Sequence, residues 1–275
     1  MENVIITGSH GFIGSNIKNF LSRNGYNVIP MYQDTIADLT KMYIFFVENK
    51  PDSLINCGSY GNMANHDIEY KIIEANINQV FNILYMMKGL PLKGFINFSS
   101  SSVTLPHTTM YSASKRAGEE ICKAFVNKYK MPIVSVRPST IIGPSEQSAH
   151  LIPTLINSAL SKKQMPYVGY PTHDYVDVRD VSSAIELLLP QCNNLKGQII
   201  DIASGSAVSN DAVRFIVEDI TKSKVPVKHV KNMRAYDVPN WHGNPMVLEG
   251  LGWKRKYSLR DSIKDMVDYE SLRTN

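Results

Sequence analysis

The sequence is poor in the residues that would place it in several broad classes. Among 275 residues only three are cysteine (Cys57, Cys122 and Cys192), odd in number, scattered and without C-x-x-C spacing. They read as reduced, mostly buried thiols of a reducing cytoplasm rather than a disulfide framework. Seven histidines form no H-x-x-x-H or other ligand cluster, so no metal is expected. A basic stripe is missing too. The net charge of +4 is mild, which suits an anionic nucleotide but gives nucleic acid no surface to bind. No apolar run approaches the length of a membrane span, and Met1-Glu2-Asn3 lacks the basic start of a signal peptide. The expectation is a soluble cytoplasmic protein with no membrane partner. Repeats and low-complexity segments are absent as well.

What is present begins at the N-terminus. At 43% hydrophobic residues the chain can bury a sizeable core, as one large domain or one and a half. Val4-Ile5-Ile6 is a short β-branched run that ends in Thr7-Gly8-Ser9-His10-Gly11-Phe12-Ile13-Gly14. Residues 15–21 then read as a helix whose apolar face includes Phe12, Ile13, Ile17, Phe20 and Leu21. Strand, glycines three apart, helix: this turn is built to hold a pyrophosphate. Gly8 allows the tight turn, Gly11 lets the backbone approach phosphate, and Gly14 lets the helix pack close to the sheet. The helix N-terminus offers unpaired N–H groups to the anion. The spacing is G-x-x-G-x-x-G rather than G-x-G-x-x-G.

A second apolar run, residues 27–31, closes a first βαβ unit. Tyr32 stands near its end, where NAD-binding proteins usually carry an acid for the ribose 2′-hydroxyl. Asp34 comes two residues later and no arginine follows, so NAD and NADP both stay open. Residues 36–40 read as a short loop before a helix at 42–49. Asp38-Leu39 within it either lines an adenine pocket or caps that helix. Residues 53–57 form the next strand, and Gly58-Ser59-Tyr60-Gly61 keeps small residues at its carboxyl end, where open α/β sheets bind ligands. Asn76 lies within a long amphipathic helix at 67–87. It is a satisfied core amide or a helix-borne ligand to the neighbouring strand ends.

The strand at 93–98 runs into Ser99-Ser100-Ser101-Ser102. Tyr111-Ser112-Ala113-Ser114-Lys115 then opens a helix ended near Met131-Pro132. At i and i+4, Tyr111 and Lys115 share a helix face. An ammonium beside a phenol lowers the phenol's pKa from about 10 toward neutrality and makes it a usable general acid or base. Further helices are expected from residue 152 and at 181–189, 211–221 (capped by Ser209) and 261–272. Further strands are expected at 165–169, 198–203 and 225–230.

In this order the motifs resemble the extended short-chain dehydrogenase/reductase family, in the branch of nucleotide-sugar epimerases, dehydratases and 4-keto reductases. The likeness rests on Gly8/Gly11/Gly14, Asp38-Leu39, Asn76, the serine run, Tyr111-x-x-x-Lys115, and Arg137-Pro138 followed by Gly143-Pro144. It extends through residues 173–180, Arg234-Ala235-Tyr236-Asp237-Val238 and Leu251-Gly252-Trp253. The resemblance implies a Rossmann-type doubly wound parallel sheet with a smaller C-terminal substrate-binding lobe. The dinucleotide domain would take residues 1–140 and 173–203, the lobe 141–172 and 204–275. Tyr111 would be the acid/base, with Lys115 lowering its pKa and holding the nicotinamide ribose. A serine would hold the reacting oxygen. Gapless alignment through 93–98 and Val103 selects Ser100, whereas counting from Phe98 selects Ser101. Ser100 is taken as catalytic and Ser101 as a substrate contact, with Tyr111, Ser139 and Arg234. Arg234 would pair a substrate diphosphate. The expected cofactor residues are Gly8, His10, Gly11, Phe12, Ile13, Gly14, Tyr32, Asp38, Leu39, Cys57, Gly58, Ser59, Asn76, Tyr111 and Lys115.

Three departures shape the expected reaction. The segment between Ser100 and Tyr111 is short, which trims the loop over the substrate. Ser101-Ser102 stands where dehydratases carry Asp-Glu, so elimination of water lacks its acid and base. Tyr32 replaces the acid at the end of strand two, which fits poorly with a permanently held NAD. The leading expectation is reduction of a keto group on a nucleotide-activated sugar. The alternative is an NAD-dependent 4-epimerase, and the rival of another class is a non-catalytic dinucleotide-binding redox sensor. Homodimerisation through the Tyr111 helix and its predecessor is implied by the resemblance.

Overall fold

The computed structural model describes residues 1–63, 66–231 and 238–274. Two compact units emerge, one made of residues 1–138 and 182–201, the other of 139–181 and 202–275. Residues 173–181, expected with the dinucleotide domain, therefore group with the second unit.

The first unit is built on a six-stranded sheet. Its strands are β1 (Asn3–Thr7), β2 (Asn27–Met31), β3 (Ser53–Asn56), β4 (Gly94–Phe98), β5 (Ile133–Pro138) and β6 (Ile199–Ile202), in the order β6-β5-β4-β3-β1-β2. β1 pairs in parallel with both β2 and β3, and β4 with both β3 and β5. All residues of β3 and β4 are buried, as the unbroken apolar runs of a sheet covered on both faces require. Sheet residues Ile5, Leu54 and Phe95 pack with Met42, Phe46, Ile83, Leu84 and Phe125 in one cluster. The strand order reverses between β1 and β3, and such a switch point opens a crevice at the carboxyl ends of those strands.

The helices depart from expectation in informative ways. The first runs Phe12–Arg23, with Gly11 as its N-cap. Residues 36–40 are not a loop, because a helical turn Gln33–Ile36 follows Tyr32 and the next helix starts at Leu39. The long helix begins at Glu69 and contains a π-helical turn at Glu74–Asn78 centred on Asn76. Strand Ile133–Pro138 and the short helix Met246–Gly250 have no counterpart in the expected elements. The helix Met110–Tyr129 starts with a capping box between Thr109 and Ser112. Helices also end on lysine where glycine is usual: Lys50, Lys130, Lys162 and Lys222 are all C-caps in the left-handed region. That conformation costs about 1 kcal/mol for a residue with a Cβ, offset in part by a cation at the negative end of the helix.

The second unit has its own core. Helices Leu151–Ser161, Asn210–Thr221 and Leu259–Thr274 bring together Leu155, Ile156, Val213, Val217, Ile263 and Met266. Ser209 caps the middle helix by accepting from the Ala212 N–H at 3.2 Å. The Asp174 carboxylate gathers the backbone N–H groups of Ser204, Gly205 and Gly243. Among the described residues no helix is long and apolar enough to cross a membrane, and no cluster of His, Cys, Asp and Glu has the makings of a metal site.

Candidate active site

A cleft of about 460 Å³ opens at the switch point of the first unit. Of the expected cofactor residues, Gly8, His10, Gly11, Tyr32, Gly58 and Ser59 line it. Gly8 has φ +65, and a Cβ there would stand 2.9 Å from the Gly58 nitrogen. A Cβ on Gly14 would collide with the carbonyl of Gly8. Backbone meets backbone at both places, so the turn is a cradle that only glycine can form. The His10 and Tyr32 rings stack across the mouth, with centroids 5.1 Å apart. This glycine turn, with free N–H groups ahead of a twelve-residue helix, fits the diphosphate of a dinucleotide.

Other expected contacts fall outside the cleft lining. Asp38 caps the following helix, accepting from the N–H groups of Thr40 and Lys41, and Leu39 is exposed. The capping reading is the one realised. Phe12 and Ile13 form the first turn of the helix, with Gly14 buried behind them. Cys57 is half-buried and, like Cys122 and Cys192, a free thiol. Burial pushes the Cys57 thiol up, with the Lys115 ammonium opposing that shift.

The strand ends are fastened by polar side chains. The Thr7 hydroxyl donates to Asn56 Oδ1 at 2.7 Å and accepts from the Gly58 N–H, and Asn56 Nδ2 donates to Asn97 Oδ1 at 3.0 Å. This buried ladder links β1, β3 and β4 beneath the cleft. Asn76 is fully satisfied: it accepts from the Tyr60 N–H at 3.2 Å and donates to the Tyr60 carbonyl at 2.7 Å and to Ser114 Oγ at 2.9 Å. It ties the loop after β3 to the Tyr111 helix; both amide hydrogens are used within the protein, while the amide oxygen keeps a second lone pair.

Tyr111 and Lys115 lie on one face of Met110–Tyr129, as the spacing predicts, but their electrostatics differ from expectation. Burial raises the pKa of the Tyr111 phenol, and the neighbouring Ser59 and Ser100 side chains oppose that shift without cancelling it. Lys115 is buried and donates to the Phe98 carbonyl at 2.8 Å, with its nitrogen 5.8 Å from the centre of the Tyr111 ring. Burial lowers its pKa to about 8. One N–H of the ammonium goes to a strand-end carbonyl and the group is desolvated, and its charge is not among the causes that shift the phenol. Because the folded pKa lies below the unfolded 10.5, the unfolded chain binds the extra proton between those values. Stability therefore gains as pH rises from about 8 to 10.5. Urea unfolding of the wild type and Lys115→Met across that range should show the wild type gaining relative to the variant; parallel curves would refute a depressed lysine.

Ser100 and Ser101 separate cleanly. Ser100 caps the 3₁₀ turn Ser101–Thr104; its Oγ accepts from the Ser102 N–H at 3.1 Å and lies 2.9 Å from Ser102 Oγ. Ser101 is buried within that turn and its carbonyl accepts from Thr104. Of the two, Ser100 is the one whose side chain bears on the pKa of Tyr111. Ser139 is buried with an unpartnered hydroxyl in the second unit, and Arg234 lies outside the described residues.

One residue of this site escaped the sequence reading. Glu119, one turn beyond Lys115, is buried; it accepts from Ser99 Oγ at 2.5 Å and takes a two-pronged bond from Arg137, 2.7 Å at each contact. Its spacing of four from Lys115, with an arginine on the next strand, was the available signal.

The NAD dependent epimerase/dehydratase family pattern matches residues 4–203. A trifunctional UDP-glucose 4,6-dehydratase/UDP-4-keto-6-deoxy-D-glucose 3,5-epimerase/UDP-4-keto-L-rhamnose-reductase of Arabidopsis thaliana is 24% identical over 98% of this chain, which spans only 47% of that protein's length. CDP-abequose synthase of Salmonella muenchen is 22% identical over 97% of both chains. Among solved structures, UDP-glucose 4-epimerase with UDP-glucose from Thermotoga maritima superposes with a TM-score of 0.88 at 21% identity, covering 99% of this chain and all of the other.

Proposed function

The chain belongs to the NAD dependent epimerase/dehydratase family, and on that premise we propose that it reduces a keto group on a nucleotide-activated sugar, using a nicotinamide dinucleotide. The observation that carries this reading is Tyr111 and buried Lys115 on one helix face, the lysine nitrogen 5.8 Å from the centre of the tyrosine ring. A nicotinamide bound there supplies hydride. The protein's part is the proton: Tyr111 gives it to the carbonyl oxygen, and Ser100 donates to that same oxygen as charge develops on it. Lys115, anchored on Phe98, would hold a ribose near the phenol. Ser139 and Arg234 are proposed as further substrate contacts.

Within the family, two features favour reduction. Ser101-Ser102 provides no carboxylates for elimination. The end of β2 carries Tyr32 stacked on His10 rather than an acid for a tightly held ribose. An intact Tyr111–Lys115 pair has no use in a redox sensor. The same reading carries a homodimer through the helices Gln79–Met87 and Met110–Tyr129, where Phe81 and Tyr85 are exposed.

The test is to denature the purified protein, identify any nicotinamide released, and titrate the emptied protein with NADH and NADPH. Reversible binding of a reduced cofactor, followed by its oxidation with UDP-, dTDP-, CDP- or GDP-linked 4-keto-6-deoxyhexoses, is the expected result. Stoichiometric NAD⁺ retained through purification would turn the reading to a 4-epimerase, and failure to bind either cofactor would end both. On the turned-over substrate, Ser100→Ala should lower kcat about 100-fold, the usual loss of one oxyanion donor. Ser101→Ala should stay within a few-fold of wild type. The reverse order would exchange the two serines' roles.

A further inference from the structure

Four serines follow β4, and the hydroxyl of Ser100 among them has one proton and two lone pairs to place. One lone pair takes the N–H of Ser102 at 3.1 Å. The Ser102 hydroxyl lies 2.9 Å from the same oxygen, and either group can donate in that contact. The backbone dictates this closeness. Ser100 is the extended N-cap of the 3₁₀ turn Ser101–Thr104, so its oxygen meets the residue two positions on. The Val103 N–H donates to the Ser100 carbonyl at 3.3 Å, and the Thr104 hydroxyl to the Ser101 carbonyl at 2.8 Å. Val103 and Leu105 are buried. The Tyr111 helix clamps the segment at three points: Lys115 donates to the Phe98 carbonyl, Arg116 to the Val103 carbonyl, and Glu119 accepts from the Ser99 hydroxyl.

The direction of the Ser100–Ser102 contact decides what Ser100 can do. If Ser100 donates to Ser102, its single proton is used inside the turn, and a substrate oxygen meets a lone pair. If Ser102 donates, both lone pairs of Ser100 are filled and its proton is free for a third partner. A sugar carbonyl has no proton to give, so only the second arrangement offers its oxygen a donor. The bonds then run in one line, from Ser102 to Ser100 to the carbonyl. Each polarises the next as negative charge grows at the far end.

We propose that Ser102 is a positioning residue for the reduction: its hydroxyl donates to Ser100 and so turns the Ser100 proton toward the carbonyl oxygen of the substrate. The Ser102 N–H holds the Ser100 oxygen in place, and the Ser102 hydroxyl sets where its proton points. No bond to hydrogen breaks at Ser102, and it acts on the substrate only through Ser100. This proposal rests on the reading of Ser100 as the donor to that oxygen.

The test compares the wild type with Ser102→Ala, Ser102→Thr, Ser100→Ala and the double variant Ser100→Ala/Ser102→Ala. Each is unfolded in urea, titrated with NADH and NADPH, and assayed with the panel of nucleotide-linked 4-keto-6-deoxyhexoses. Alanine at position 102 keeps the N–H that caps the turn, so folding and cofactor Kd should match the wild type. Its kcat should fall about 10-fold, the loss of one hydrogen bond, with KM unchanged, and threonine should restore most of that loss. In the Ser100→Ala background the same change should alter kcat by less than about 2-fold, because no proton is left to orient. A wild-type kcat in Ser102→Ala beside a slow Ser100→Ala overturns the proposal and leaves the donor assignment standing. A loss that threonine does not restore, losses that multiply in the double variant, or a change confined to KM overturn it as well. If Ser100→Ala turns over at the wild-type rate, or the wild type reduces no member of the panel, the reading of the site fails and the proposal falls with it.

Discussion

Replacing Tyr111 by phenylalanine is expected to lower turnover by about 10²- to 10⁴-fold, the range general-acid catalysis contributes, while cofactor affinity stays near wild type. The ring remains packed beside Gly61, so what is lost is one hydroxyl and the proton it carries. The neighbouring serines are not stranded by the change: Ser59 is exposed in the cleft, and Ser100 retains Ser102. The pH dependence sharpens the expectation. Burial raises the Tyr111 pKa above its ordinary 10.0, so the phenol holds its proton through the neutral range and reduction should not fade near pH 7 on its account. Lys115, lowered to about 8, is the group that changes charge first as pH rises. A fall in rate centred near 8 would therefore report the lysine. It should move upward in Lys115→Arg, because a guanidinium keeps its charge. A fall that stays in place in that variant would return the titration to Tyr111 and contradict the burial argument.

Arg137→Met is expected to lower stability by about 3–5 kcal/mol, the usual cost of stranding one member of a buried ion pair. The Glu119 side chain is 1% exposed, and Arg137 supplies both of its charged bonds. The Arg137 pKa is raised chiefly by its hydrogen bond to Glu119, so the pair is coupled in the folded state. Methionine fills similar volume but leaves a buried carboxylate with the Ser99 hydroxyl as its remaining hydrogen-bond partner and only the Lys115 charge acting on it through space. Adding Glu119→Gln to Arg137→Met removes that charge and keeps an acceptor for Ser99, so the double variant should recover more than half of the loss. Urea unfolding of the two single variants and the double variant measures the coupling directly. Additive losses would mean that the pair contributes little beyond its packing.

The sequence makes the start of this fold plain because one local pattern encodes each part. Val4-Ile5-Ile6 supplies the strand, the glycines supply the turn, and Tyr111-x-x-x-Lys115 is fixed by helix geometry whatever surrounds it. The parts that escaped depend on long-range contact. Spacing cannot tell that Lys115 turns to the Phe98 carbonyl, so burial sets the Tyr111 pKa against the direction expected from the pair. The serine run was ambiguous because alternation ends with β4: Ser99 reaches to Glu119, and Ser100 leaves the strand to cap the next turn. The π-turn at Asn76 widens the helix by one residue, which shifts the apolar stripe out of the 3.6 period that helix recognition uses. Ser59 reads as one small residue among several. Only the Tyr60–Asn76–Ser114 bonds and the close approach of Gly61 bring its loop against the Tyr111 helix.

The sheet order has a consequence for how the protein is made. β5 lies between β4 and β6, yet β6 follows β5 in the chain by about 60 residues, most of which belong to the other unit. A ribosome adding about 5–20 residues per second needs roughly 3–12 s to supply that last strand. For those seconds β5, buried at five of its six positions in the finished protein, is an open apolar edge of the kind that invites pairing with another chain. Every residue that lines the cleft has been made before that interval begins, so the exposed edge belongs to a chain whose cleft residues are already complete, and whatever shields that edge governs how much of the protein a cell obtains.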